Sequence, residues 1–260
     1  MAFSLASLSK NSPKKPIVVA YGDPGVGKTT LGACAPKPVF IRTEDGLGNL
    51  DVTTFPVANV FSDVISGLQS LYTEQHDFET LVIDSLDWME PLIWNHVCEL
   101  WTDKKGNPQR LASIEDAGYG KGYVEALGYW RQFLEGVTAL RDARDMNVIL
   151  IAHSATVKVE DPTMPGYDRK DLKLHKRAAA ICEEFADVIL YCTVQTNTVT
   201  EDKGFNNKRI RATSTGERIM HTVGQPAFLA KNRYSLPSPL PLSWEAFTEA
   251  MNPSVALKAA

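Results

Sequence analysis

The sequence has only four cysteines in 260 residues, Cys34, Cys98, Cys182 and Cys192, and no two are spaced as C-x-x-C. That pattern excludes a disulfide framework and a cysteine zinc site, and their apolar neighbours suit reduced thiols in a core. No stretch approaches the roughly eighteen apolar residues of a membrane-crossing helix. Met1 to Pro16 lacks a long apolar segment and its lysines come late, so no export signal and no membrane contact is expected, and the chain reads as cytoplasmic. Positive charge is in short supply as well: 27 Lys and Arg against 31 Asp and Glu leave a net charge of -4. Any contact with nucleic acid must therefore come from a local basic patch. There is no internal repeat, which excludes a solenoid. With 44% hydrophobic residues the chain can build one large core, and a single α/β domain is expected.

What the sequence does have is the turn Gly22-Asp23-Pro24-Gly25-Val26-Gly27-Lys28-Thr29, followed by Thr30. The apolar run Ile17–Tyr21 before it predicts a buried strand, and Lys28–Ala35 after it predicts a helix ended by Pro36. A glycine-rich loop between strand and helix is the setting of a phosphate-binding loop. Glycines let backbone amides turn towards phosphate oxygens, Lys28 brings a point charge to the β- and γ-phosphates, and Thr29 offers a hydroxyl to Mg2+. A nucleoside triphosphate with Mg2+ is the ligand class this loop calls for, with ATP the expected member.

Along the chain, residues 1–15 read as an N-terminal arm, 16–251 as the ATPase domain and 252–260 as a fraying tail. Pro38–Thr43 predicts a second strand delivering Glu44-Asp45-Gly46 at its C-terminal end, the edge of a parallel sheet where ligands gather. Ser62 is placed to cap a helix carrying Ile65, Leu68 and Leu71/Tyr72. Thr80–Ile83 returns as a strand ending in Asp84, the magnesium-site candidate. Leu86–Trp101 predicts a helix facing inward through Trp88, Leu92 or Ile93, Val97 and Leu100. Thr102–Tyr123 reads as a long loop with Lys104, Lys105, Arg110 and Lys121, and Leu127, Trp130, Leu134, Val137 and Leu140 mark the next helix. Val148–Ala152 predicts a strand delivering His153, and Thr156–Leu174 a second long loop. Lys176–Phe185 reads as helix and Asp187–Val194 as strand. Glu201–Lys208 reads as a hairpin tip leading into Arg209–Thr213, and Ala227–Arg233 as strand. Ser243 is placed to cap a short helix with Trp244, Phe247 and Met251 inward.

A phosphate-binding loop alone leaves several classes open. The sequence has no [NT]-K-x-D guanine reader, and Ser85-Leu86-Asp87 follows Asp84 where a GTPase would carry a switch glycine, which argues against a GTPase. AAA-type motors place a glutamate directly after the magnesium-site aspartate; Ser85 stands there, so a water-activating carboxylate must come from another strand, and Glu44 is the candidate. Val39-Phe40-Ile41-Arg42-Thr43-Glu44, Leu81-Val82-Ile83-Asp84-Ser85, Leu150-Ile151-Ala152-His153 and Ala230-Lys231-Asn232-Arg233 together resemble the RecA-like ATPases. Within them, the chain is similar to the phage-encoded RecA-core ATP-binding proteins associated with single-strand annealing.

This resemblance, spanning roughly Pro16–Met251, implies a RecA-like P-loop NTPase core: a mostly parallel central sheet flanked by helices, with a C-terminal β-hairpin extension. It implies that Thr29 and Asp84 hold Mg2+, that Glu44 orients the attacking water, and that His153 senses the γ-phosphate where RecA uses glutamine. Lys231 and Arg233 would reach a neighbouring protomer's nucleotide in a head-to-tail oligomer, ring or filament. Single-stranded DNA, and with it a single-strand DNA-binding protein, are the implied partners. The glycine-rich DNA loops of bacterial RecA are not reproduced, so single-strand binding is expected ahead of strand exchange. The basic run containing Arg169, Lys170, Lys173, Lys176 and Arg177, with Tyr167 as a stacking surface, is the nucleic-acid candidate. Two other classes stay open on the residues: a nucleotide-switched loader for a replication protein, and a small-molecule kinase.

Overall fold

Short runs of Val, Ile and Leu, buried on both faces, form the centre of the sheet, as parallel strands covered by helices must. The computed structural model describes residues 13–252 except 104, 163 and 203–207. In chain order the elements are β1 (Ile17–Gly22), α1 (Lys28–Ala33), β2 (Pro38–Arg42), β3 (Thr53–Thr54), α2 (Phe61–Thr73), β4 (Thr80–Asp84) and α3 (Leu86–Leu100). There follow α4 (Lys121–Arg144), β5 (Asn147–Asp161), β6 (Met164–Leu172), α5 (Lys176–Phe185), β7 (Val188–Asp202), β8 (Lys208–His221), β9 (Lys231–Asn232), β10 (Leu240–Pro241) and α6 (Trp244–Met251). The strands lie in the order β10-β8-β7-β1-β5-β4-β2-β3, parallel from β7 to β3 and antiparallel from β7 outward, with β6 pairing β5 and β9 pairing β7. The expected α/β architecture, a mostly parallel sheet between helices, is thus observed.

Alternation along β1 divides the core. Ile17, Val19 and Tyr21 join the layer that holds Leu68, Met89, Ile93, Trp130 and Phe133 from α2, α3 and α4, whereas Val18 and Ala20 pack with Leu31 of α1 and Phe247 of α6. Trp130 and Phe133 are both essentially fully buried. Each contributes about 2–3 kcal/mol through burial, so α4 is held by packing more than by its own helix propensity.

Two strands run past the sheet. β5 leaves its parallel neighbours at His153 and pairs with β6 from Ser154↔Leu172 onward, and β7 leaves at Cys192 and pairs with β8 out to Asp202↔Lys208. The segment Thr156–Leu174, expected as a loop, is therefore mostly a β-hairpin. Its alternation, Thr156-Val157-Lys158-Val159-Glu160, leaves the valines half-buried and their neighbours exposed, and Pro162, Pro165 and Gly166 disguised it.

Other expectations shift. Ala227–Arg233 supplies only the two-residue β9, because Phe228 and Leu229 are buried from an irregular segment. α2 starts at Phe61, one residue before the expected cap Ser62. The Asp63 carboxylate accepts from the backbone N–H groups of Asn59 (2.9 Å) and Val60 (3.1 Å) instead. On α3 the buried face runs through Leu86, Met89, Ile93 and Val97, with Trp88 and Leu100 in solvent. The loop after α3 contains a 3-10 turn at Ile114–Ala117, and Lys121 and Tyr123 already belong to α4. Cys34 is exposed, while the other three cysteines are buried thiols. Most of the expected arm and tail, and Lys104, lie outside the described residues; Lys14 and Lys15 form ion pairs with Asp142 (2.7 Å) and Asp145 (3.0 Å) at the end of α4. Among the described residues no helix is long and apolar enough to cross a membrane.

Glu90, buried in α3, accepts from the His175 backbone N–H at 2.9 Å and so anchors the start of α5. Burial pushes its carboxyl up to about 7, against an ordinary value of 4.5. The folded protein then holds this proton more tightly than the unfolded chain, so between about pH 4.5 and 7 stability falls as pH rises. Relative to Glu90→Gln, the wild type is expected to lose roughly 1–3 kcal/mol across that window in urea unfolding at stepped pH. Parallel profiles for the two proteins would contradict this.

Candidate active site

The site forms where β1 ends. Gly22 lies level with His153 of β5 and Cys192 of β7, and the β7 backbone comes so close that a Cβ on Gly22 would collide with the Cys192 carbonyl. Glycine is needed here for strand packing. It is needed at Gly25 and Gly27 for a different reason: both have positive φ, 78° and 109°, which turns the loop over into α1. Lys28 folds back beneath the loop, its Nζ donating to the carbonyls of Gly22 (2.9 Å) and Asp23 (3.0 Å). Burial pulls its amine below the ordinary lysine range, opposed in part by the carboxylates of Asp84, Asp87 and Glu44.

Across the cavity, Thr29 Oγ1 donates to Asp84 Oδ2 at 2.9 Å. The Asp84 carboxyl is pushed up by burial, the Thr29 hydrogen bond pulls it down, and Glu44 pushes it up again. Glu44 is fixed by Ser85, whose Oγ donates to Glu44 Oε1 at 2.8 Å. Ser85 is itself clamped by Thr43, whose hydroxyl donates to the Ser85 carbonyl (2.7 Å) and accepts from its N–H (2.9 Å). Two carboxylates and a hydroxyl beside a buried amine suit a hard divalent cation that takes its remaining ligands from phosphate and water. Among the described residues no cluster of three His, Cys, Asp or Glu forms a self-sufficient metal cage. Mg2+ fits that donor set.

His153 stands at the same mouth. Its ring Nδ1 lies 3.0 Å from Asp87 Oδ2, and its backbone N–H donates to Asp87 Oδ1 at 3.0 Å. Burial would raise the Asp87 carboxyl, but these hydrogen bonds outweigh it and hold the group below the usual carboxylate range. An ionised carboxylate only accepts, so Nδ1 carries a proton. Nε2 can then donate to an oxyanion only when the ring is doubly protonated, which narrows the sensing role expected of His153.

The cavity, about 440 Å³, is lined by Pro24, Gly25, Gly27, Lys28, Thr29, Thr30, Glu44 and its following turn, Asp84, His153 and Arg218. All of the expected nucleotide and metal residues thus converge at or beside it, with Gly22, Asp23 and Val26 completing the loop. Arg218 was not anticipated; it lies on β8, far along the chain, inside no motif.

Lys231 and Arg233 are not brought to this site. β9 meets β7 at Ile189, three residues before Cys192 and so about 10 Å down the strand. There Lys231 Nζ donates to the carbonyls of Glu183 (2.6 Å) and Glu184 (3.0 Å), closing the C-terminal end of α5, and Arg233 pairs with Asp187 at 2.8 Å. In their own chain both are thus engaged with the end of α5 and with Asp187, on the far side from this cavity.

The basic run also divides. Arg169 pairs with Asp171 (2.6 Å), Lys170 with Asp23 of the loop (3.1 Å) and Lys173 with Asp87 (3.6 Å). Asp23 also accepts from the Ser154 hydroxyl, and that bond, then Lys170, holds its carboxyl low. Lys176 and Arg177 are exposed at the start of α5, next to His175, whose ring stacks on Tyr123 at 4.2 Å. Two of the five cations therefore tie the β5–β6 hairpin to the cavity, one pairs within the hairpin, and two face solvent.

A family model described as "AAA domain" matches residues 14–234. The SPbeta prophage-derived uncharacterized protein YorG of Bacillus subtilis (strain 168) is 24% identical over 195 residues, which is 72% of this chain and 53% of that protein. The chain thus spans about half the length of the relative it matches.

The His153 geometry is testable by side-chain ¹⁵N NMR. The neutral ring is expected as the Nδ1–H tautomer, and Asp87→Ala is expected to shift it towards Nε2–H; an Nε2–H ring in the wild type would contradict the assignment.

Proposed function

The chain belongs to the AAA domain family, a family of P-loop ATPases, and from that membership and the cavity's geometry we propose that it hydrolyses ATP with Mg2+ and couples turnover to single-stranded DNA. The observation that carries the hydrolytic part is the meeting of the Thr29–Asp84 pair with the clamped Glu44 across one cavity beside Lys28. Lys28 and the loop amides bind the β- and γ-phosphates. Thr29 and Asp84 would hold Mg2+, whose charge would offset that of the phosphate oxygens. Glu44 orients a water and takes its proton as the water oxygen bonds to the γ-phosphorus and the bond to the β-phosphate oxygen breaks, giving ADP and phosphate. This carboxylate comes from the strand beside β4, with Ser85 after Asp84. That arrangement favours the RecA-like branch for this AAA-family chain, and the relative's prophage origin supports a phage setting for annealing or recombination. Lys231 and Arg233, which hold α5 and Asp187 in their own chain, are the cations a head-to-tail neighbour would supply to this step.

The DNA part rests on the β5–β6 hairpin. Lys170–Asp23 and Lys173–Asp87 connect it to the loop and to the partner of His153, and Lys176 and Arg177 are exposed beside the Tyr123–His175 stack, without an ion pair among the described residues. A strand bound at the two free cations would pull on the same hairpin that the nucleotide loop holds.

Glu44→Gln is expected to bind ATP within a few-fold of wild type and to lose about 10²-fold or more in steady-state phosphate release, with Lys28→Ala as blank. Full turnover in Glu44→Gln would remove Glu44 from the step. Single-stranded DNA is expected to accelerate wild-type turnover, and tight ATP binding without turnover, with or without DNA, would point to a nucleotide switch instead. Changing Lys176 and Arg177 together to alanine is expected to lower the log–log salt slope of DNA binding by about 1.4. An unchanged slope would move the contact elsewhere.

A further inference from the structure

The cavity contains a cation that no motif announces, and we propose that Arg218 is a phosphate-binding group which this chain supplies to its own nucleotide site, acting with Lys28 on a polyphosphate. The inference rests on the nucleotide reading above and deepens it. Arg218 lines the same cavity as Glu44 and Asp84, and its stem lies over Gly27 of the loop. Nη1 stands 3.1 Å, and Cδ 3.6 Å, from where a Cβ on Gly27 would be, so the missing side chain leaves room for the guanidinium at the loop.

The backbone that carries Arg218 is paired on both sides. It pairs with Val194 of β7 just before the hairpin's register shift, and its carbonyl accepts from the Leu242 N–H at 2.9 Å. The guanidinium, by contrast, is exposed and among the described residues makes no hydrogen bond or ion pair. A structural arginine would be spent on a carboxylate or on carbonyls, as Arg233 is. A fixed stem with free donors is instead the arrangement of a group awaiting a ligand.

Charge identifies the ligand class. Lys28 alone faces the two carboxylates Asp84 and Glu44, which leaves the cavity one negative charge in excess; Arg218 brings it to balance. A triphosphate with its divalent cation still carries net negative charge, and a planar guanidinium pairs with two phosphate oxygens at once where an ammonium cannot. An uncharged or cationic ligand would gain nothing from it.

The test is calorimetric titration of ATP, and of inorganic tripolyphosphate with Mg2+, into wild type, Arg218→Ala, Arg218→Lys and Lys28→Ala. Arg218→Ala is expected to weaken both ligands about ten- to a hundredfold, with Arg218→Lys recovering part of the loss. The melting temperature of the ligand-free variant is expected to stay within about 1 °C of wild type, since no side-chain hydrogen bond or ion pair among the described residues is removed. Wild-type affinity in Arg218→Ala, or a loss of binding accompanied by a fall in ligand-free melting temperature, would overturn this role and leave the nucleotide reading standing. Failure of the wild type to bind ATP would overturn the nucleotide reading itself.

Discussion

The close approach of β7 to the end of β1 sets the geometry of everything at the cavity. With Gly22 pressed against the Cys192 carbonyl and level with His153, the loop that follows has no choice but to turn over the sheet edge between two strands that keep going. Both of those strands become hairpins, and both send a cation back: Lys170 from β6 onto Asp23, and Arg218 from β8 onto Gly27. A side chain at position 22 would push these strands apart, and with them the two arms that flank the loop.

The second constraint is electrostatic. Lys28, Asp84 and Glu44 are gathered at a largely buried edge, where burial pulls the amine down and pushes the Asp84 carboxyl up. Charges held like this are costly unless paired, and the protein pairs them only partly: Lys28 rests on two carbonyls, Asp84 on one hydroxyl, Glu44 on one hydroxyl. The remaining donor and acceptor capacity is what a phosphate chain and a divalent cation would satisfy. Asp87 is treated differently, being fully engaged by His153 and approached by Lys173, which suits a positioning group more than a ligand.

The hairpin that the sequence hid as a polar loop is joined to the cavity by Lys170–Asp23 and Lys173–Asp87. Its strands bury little, so their stability comes from backbone pairing and from ion pairs with the loop and with Asp87.

The local elements around the loop were legible because each carries a short-range signal: apolar runs for β1, β4 and β5, the glycine spacing for the loop, Ser243 for α6, whose hydroxyl does accept from the Ala246 N–H at 3.1 Å. Glu44 and Asp84 could be placed by their positions at strand ends, since parallel strands deliver their C-terminal residues to one edge. The contacts of Lys231 and Arg233 with α5 and Asp187 were not legible, because spacing records neither which end of the sheet a residue occupies nor who its partners are. Arg218 was invisible for the same reason: it sits in a strand whose only distinction is which neighbour it pairs with. Strand identity, loop chemistry and the residues at strand ends were thus determined by the sequence itself, through interactions between residues close in the chain. The strand order, the level at which Gly22, His153 and Cys192 meet, and the choice of which cation faces the cavity were decided only by tertiary structure, because each depends on backbones brought together from distant parts of the chain.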